Sequence, residues 1–129
     1  MLGEANVVAV LAVKDLAVAR RFYEDTLGLQ EDHDQPEDPD TVLYRSGGSR
    51  LLLYVSSYAG TNQATAASWA VGDELEAVVA ELAGKGVSFE RYEIPGAEHD
   101  GDVHVMGGFR TAWFRDPDGN ILNLVNQSL

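Results

Sequence analysis

Two hydrophobic periods alternate along this chain. Val7 to Val13 is an unbroken apolar, β-branched run and predicts a buried strand. From Leu16 to Leu27 the period becomes helical, with Leu16, Ala19, Phe22, Tyr23 and Leu27 on one side. Asp15 stands where an N-cap carboxylate accepts backbone N–H groups, and Gly28 suits the left-handed residue that ends a helix. Thr41–Ser46 and Arg50–Ser56 read as strands, joined by a hairpin turn at Gly47-Gly48. The plan then returns. Ser68–Val71 is strand-like, Asp73 is a second candidate N-cap, and Leu75, Val78, Val79 and Leu82 form a second helical stripe. Gly84 or Gly86 stops that helix, and Val87–Tyr92 begins another strand.

A shift of 58 residues superposes the halves: Val13 on Val71, Asp15 on Asp73, Ala19 on Ala77, Gly28 on Gly86 and Leu29 on Val87. The pairs fall at caps, stops and core positions, where a structural repeat shows itself. Near the C-terminus, Asp116-Pro117-Asp118-Gly119-Asn120 lies between the apolar runs Trp113-Phe114 and Ile121-Leu122, and predicts a β-hairpin. Pro117 presets the φ a turn needs, and Gly119 and Asn120 tolerate positive φ.

This hairpin resembles the one near the C-terminus of the vicinal oxygen chelate superfamily, which includes glyoxalase I, extradiol dioxygenases, fosfomycin-resistance proteins and bleomycin-binding proteins. Val13-Lys-Asp-Leu16, Arg21-Phe-Tyr-Glu24 and Leu27-Gly-Leu29 add to the resemblance, which covers nearly the whole chain. It implies an α+β fold of two tandem βαβββ modules whose curved mixed sheets form a ligand cup. The expected organisation is a single domain over residues 1–129: module one about 1–56, a linker 57–65 and module two about 66–129. The resemblance also implies a homodimer.

Metal-dependent relatives place a histidine on the first strand, a second histidine before the second helix and a glutamate on the last strand. The matching positions here are Val8, the neighbourhood of Ala66, and Asn123. Some relatives carry a further glutamate on the strand that here reads Leu51-Leu-Leu-Tyr54. Valine and alanine have no donor atom and asparagine offers a neutral carbonyl, whereas divalent zinc, nickel or iron needs several histidine, carboxylate or thiolate ligands. The expectation is therefore no metal and no cofactor. A relocated site of His99, Asp102 and His104 is the alternative. The preferred reading of Glu98-His-Asp-Gly-Asp-Val-His104 is a polar surface loop.

Composition narrows the function classes. The net charge is −12, from 9 Lys+Arg against 21 Asp+Glu, so nucleic acid and anionic membrane surfaces are poor partners. No apolar run is long enough to span a bilayer, no signal peptide is evident, and there is no cysteine, which together suggest a cytoplasmic protein. Six of the acids crowd into residues 31–40, which read as a solvated loop around His33 rather than a calcium site.

The remaining candidates concern the cup. Strand alternation places Ile121 and Val125 beside Asn123, with Leu122 and Leu124 on the other face. Tyr54, Tyr92 and Trp113, with Trp69 as a fourth, are expected to line an aromatic cavity. Asn62 and Gln63 offer donors in the loop between modules, and Pro95–Gly108 reads as a glycine-rich flap. Arg110 would bind a ligand carboxylate or, preferably, pair with a surface acid. The first functional reading is a metal-independent protein that binds, and sequesters, a small aromatic, apolar or cationic molecule in the bleomycin-resistance manner. The second is a glyoxalase- or dioxygenase-like enzyme (lyase, isomerase or dioxygenase) with a relocated metal, or with Tyr92 or His99 as acid–base catalyst.

Overall fold

A computed structural model describes residues 1–128. The chain divides into two compact units, Met1–Thr61 and Asn62–Leu129.

Unit 1 holds β1 (Ala9–Val13), α1 (Leu16–Arg20), β2 (Gln30–Glu31), β3 (Thr41–Ser46) and β4 (Ser49–Val55). The sheet order is β1-β4-β3-β2, with β1 parallel to β4 and the other pairs antiparallel. Asp15 caps α1 as expected, its carboxylate accepting from the N–H groups of Ala17 and Val18. The helix runs on to Thr26 but widens into π-type turns from Arg21, where the Leu27 N–H reaches back to the Phe22 carbonyl. Gly28, at φ +77°, then reverses the chain and lets the Leu29 N–H bond the Tyr23 carbonyl. The turn at Gly47-Gly48 is also as expected, with Gly47 at φ +55°. Leu11, Val13, Val42, Tyr44, Leu51 and Leu53 are buried on the helix side of the sheet. There Tyr23 stacks on Tyr44, ring centroids 6.2 Å apart. The Tyr44 hydroxyl donates to Glu24, and burial together with that carboxylate raises its pKa far above the usual phenol value.

Unit 2 holds β5 (Thr65–Ala70), α2 (Leu75–Gly84), β6 (Phe89–Glu90), β7 (Glu98–Asp100), β8 (Val103–Met106), β9 (Phe109–Arg115) and β10 (Ile121–Val125). The order is β5-β10-β9-β8-β7, and β6 pairs with the C-terminal part of β9. Without β7 and β8 this is the βαβββ plan of unit 1. The two extra strands form a hairpin where a flap was expected over Pro95–Gly108. Val103-His-Val-Met106 alternates as a strand does, and Gly101 (φ +61°) closes the turn, so the glycines punctuate strands instead of loosening a loop.

Three other local expectations change. Asp73 does not cap α2: it lies inside a 3₁₀ turn, Gly72–Glu74, that feeds the helix without a side-chain cap. The strand expected over Val87–Tyr92 is confined to Phe89–Glu90, because its partner β9 offers only Phe114 and Trp113 on that edge. In the Asp116–Asn120 turn, only Gly119 has positive φ. Asn120 stays outside that region because the buried Asp116 carboxylate holds its backbone N–H and its side-chain amide, each at 2.8 Å.

Candidate functional site: the open face of the second sheet

Strand register decides which side chains meet. In unit 2, Asn123 lies opposite Trp113 on β9 and opposite Ser68 on β5. Leu122, Leu124, Ala112 and Phe114 are buried on the alternate face, towards α2. The other face carries Ser68, Thr111, Trp113, Asn123 and, from the added hairpin, His104 and His99.

Asn123 is 6 % exposed and fully engaged. Its carbonyl accepts from the Ser68 hydroxyl at 2.6 Å, while its amide donates to Thr111 Oγ1 at 2.6 Å and to the Ala112 carbonyl at 3.1 Å. Thr111 in turn donates to the Leu124 carbonyl. The amide therefore ties three strands together, as a buried polar group must if it is to avoid a cost of roughly 1–3 kcal/mol.

Beside it stands a cluster of four rings. Tyr92 meets Trp113 edge to face at 5.3 Å between centroids, and His104 meets Trp113 in the same way at 5.0 Å. His104 and His99 are direct cross-strand partners with centroids 4.7 Å apart. The Trp113 indole N–H is satisfied by Thr65 Oγ1, which fixes the ring. His104 is wholly buried, so the expected polar surface loop is corrected at this residue: alternation on β8 turns its imidazole into the ring cluster.

The hydrogen bonds assign the tautomers. The Tyr92 N–H donates to His104 Nε2 at 2.9 Å, so that nitrogen carries no proton and Nδ1 does. His99 Nε2 lies 3.0 Å from the Tyr92 carbonyl, which only accepts, so there the proton sits on Nε2. Burial lowers the His104 pKa, and the neighbouring His99 lowers it further. The backbone of Thr111, Tyr92 and Asp102 acts the other way. His104 is thus a neutral imidazole at neutral pH. Among the described residues, His104 Nδ1 and the Tyr92 hydroxyl are buried in this cluster without a hydrogen-bond partner.

The other residues singled out in the sequence lie elsewhere. Tyr54 belongs to unit 1, 40 % exposed on the open face of its sheet. Trp69 is opposite Leu124 in register, which puts it on the helix side of β5, away from Asn123; the expectation that it joins Trp113 is corrected by the strand period. Arg110 is likewise on the helix side of β9, where Glu76 and Asp100 pair with it and raise its pKa. It is engaged by acids, which removes it as a carboxylate anchor. Asn62 folds onto its own loop, exchanging hydrogen bonds with the backbone of Ala64, and Gln63 is exposed.

Unit 1 contains an open cleft of about 1180 Å³. Val8, Leu43 and Leu52 supply apolar lining, and the acidic segment 31–38 borders it. That segment is more than solvated loop. Asp32 is buried, accepts from the Asp34 N–H and from Arg50 Nε at 2.7 Å, and its pKa is lowered by these bonds and by Arg45.

A metal at the positions implied by the resemblance does not fit this chain. Val8 and Ala66 carry no donor atom, and the β4 stretch Leu51–Tyr54 carries no carboxylate. Register adds that Ser68, rather than Ala66, is beside Asn123, because Ala66 falls at the irregularity between Ile121 and Leu122. The Asn123 carbonyl already accepts the Ser68 proton. Among the described residues, no group of three His, Cys, Asp or Glu side chains is placed to hold a metal ion.

Open, curved mixed sheets with few helices are the glyoxalase/bleomycin-resistance fold. The description Glyoxalase/Bleomycin resistance protein/Dioxygenase superfamily matches residues 6–124, and the chain belongs to that superfamily. A superfamily member from Sphaerobacter thermophilus DSM 20745 is 26 % identical, with a TM-score of 0.68 over 97 % of this chain and 98 % of that one. A bleomycin resistance determinant encoded on the transposon Tn5 is 18 % identical, with a TM-score of 0.69 over 96 % and 98 % of the two chains. TnmS3, an antibiotic binding protein from Streptomyces sp. CB03234, is 24 % identical, with a TM-score of 0.58 over 97 % and 98 %. No curated protein matches the chain. Among the described residues no helix is long and apolar enough to cross a membrane.

Proposed function

We propose that this protein binds a small aromatic molecule through the open face of its second sheet, without a metal, and sequesters it unchanged. The observation that carries the reading is the cluster of Trp113, Tyr92, His104 and His99 around an asparagine whose polar atoms are already spent on the sheet. Trp113 has its N–H satisfied and its ring half-buried, the state of an aromatic wall ready to stack. His104 favours binding over proton transfer, because its only basic nitrogen already accepts from a backbone N–H. The surplus of acids favours a cationic ligand. The bleomycin resistance determinant and the antibiotic binding protein of like fold support the same class of ligand.

Bleomycin is the first probe. A rise in melting temperature and a change in tryptophan emission, both lost in Trp113→Ala, are the expected results. No response to bleomycin or to a panel of cationic aromatic compounds would remove the reading. An enzymatic alternative centres on His99, the exposed ring of the cluster. Turnover of an α-keto hemithioacetal or a catechol, abolished in His99→Gln, would put it in place of sequestration.

A further inference from the structure

Tyr92 is not on a strand, so no sheet ladder fixes its peptide group. Two histidines do so instead. The His104 ring accepts its N–H and the His99 ring bonds its carbonyl, and the two histidines are directly paired across the hairpin β7–β8. We propose that His99 and His104 are positioning residues that clasp the Tyr92 peptide and hold its ring against Trp113, and that the clasp opens when His104 takes a proton.

The chemistry follows from the tautomer. Nδ1 already bears a hydrogen, so an added proton must go to Nε2, the atom that accepts from Tyr92. Once protonated, Nε2 is a donor facing a donor, and the bond to the Tyr92 N–H is lost. The groups around the ring favour this two-state behaviour. His99 faces His104 from β7 and disfavours a positive charge on it. Thr111 and Trp113, from β9, carry no charge, and the Tyr92 phenol completes the surround. The carboxylates of the hairpin are committed elsewhere: Asp100 to Arg110 and Asp102 to Arg91, while Glu98 alternates onto the other side of β7 from His99. Glu90, opposite Trp113, is paired with Arg115. Among the described residues, no carboxylate is paired with the imidazole to stabilise its cation. The lowered His104 pKa agrees with this geometry.

The idea rests on reading this face as the binding face only for its use. The clasp itself is tested without ligand, so the two stand or fall separately. In a Trp69→Phe background, Trp113 emission is expected to change through a single transition with its midpoint below pH 6.5, while far-ultraviolet circular dichroism stays constant. His104→Gln keeps an acceptor for the Tyr92 N–H but does not titrate, and should abolish the transition. His99→Gln removes the neighbour that lowers the His104 pKa and should move the midpoint upward, towards 6.5. Long-range proton–nitrogen NMR of the unmodified protein should show Nε2 unprotonated on His104 and protonated on His99 at neutral pH. A transition that survives in His104→Gln, no transition in the parent, or an Nε2–H tautomer at His104 would each overturn the clasp. The NMR assignment decides even if the glutamine variant fails to fold.

Discussion

Units 1 and 2 repeat one strand order and bury one sheet face towards a helix, but their other faces differ in chemistry. The 58-residue shift that aligns their caps also sets Val10 on Ser68. Val10 is opposite Leu52 on β4, and Leu52 is opposite Leu43 on β3. At the corresponding register positions, unit 2 has Ser68, Asn123 and Trp113. The first trio is apolar, and its surroundings are open, with Val10 52 % exposed. The second is hydrogen-bonded through a buried amide. The connections after β2 and β6 differ too: an acidic segment anchored by Asp32 in one, a hairpin bearing two histidines in the other. One fold thus holds an apolar face bordering an open cleft and a hydrogen-bonded aromatic one, and the second carries the proposed function.

Making the faces alike should cost most where the amide does the tying. Asn123→Leu copies Leu52 into unit 2 and breaks the bonds to Ser68, Thr111 and Ala112. It should destabilise the protein by roughly 1–3 kcal/mol in urea denaturation, since buried polar groups lose their partner. A change under about 0.5 kcal/mol would mean the network is incidental. Next, Trp113→Ala should weaken an identified ligand by roughly 1–3 kcal/mol, read by calorimetry. Tyr54→Ala, on the face of unit 1, should weaken it far less. Equal losses would dissolve the distinction between faces.

Acid should separate the units by where stability is lost. His104 has a lowered pKa, so the unfolded chain takes the proton first. Its contribution is complete above pH 6.5 and declines as pH falls below that towards the folded value. Asp32, also lowered, contributes fully above pH 3.8 and loses that contribution only as pH falls through its folded value. A stability–pH curve should therefore soften first below 6.5, and His104→Gln should remove that first decline. The smallest effect is expected from the reverse swap. Leu52→Asn places an amide on the half-open face of unit 1, where water can satisfy it, and should change stability by less than about 0.5 kcal/mol.

Much of this was legible in the chain. Periodicity gave both sheets and helices, because Leu16–Leu27 and Leu75–Leu82 present clear stripes, and Asp15, Gly28 and Gly47 are residues with one structural use each. Asn123 is legible through alternation after the Asp116–Asn120 turn, and Tyr92 and Trp113 stand out as aromatics in apolar, strand-like runs. His104 is legible only as a ligand of the alternative relocated metal site. Its glycine-rich surroundings read as loop, and the brief alternation of Val103–Met106 gains its meaning only from pairing with β7 and β9. Trp69 falls on the helix side because β5 sets it in register with Leu124, a pairing the local pattern does not show, whereas Arg110 pairs with acids, as its preferred reading has it.

Binding without metal is tested most directly by two readings on purified, untagged protein. Metal content is determined by mass spectrometry after dialysis, and a thermal melt is recorded with excess zinc, nickel, manganese or iron(II). Metal far below one equivalent and an unchanged melt are expected, with ligand-induced stabilisation insensitive to chelator. Stoichiometric metal, or a melt raised by one of these ions and returned by chelation, would contradict binding without metal.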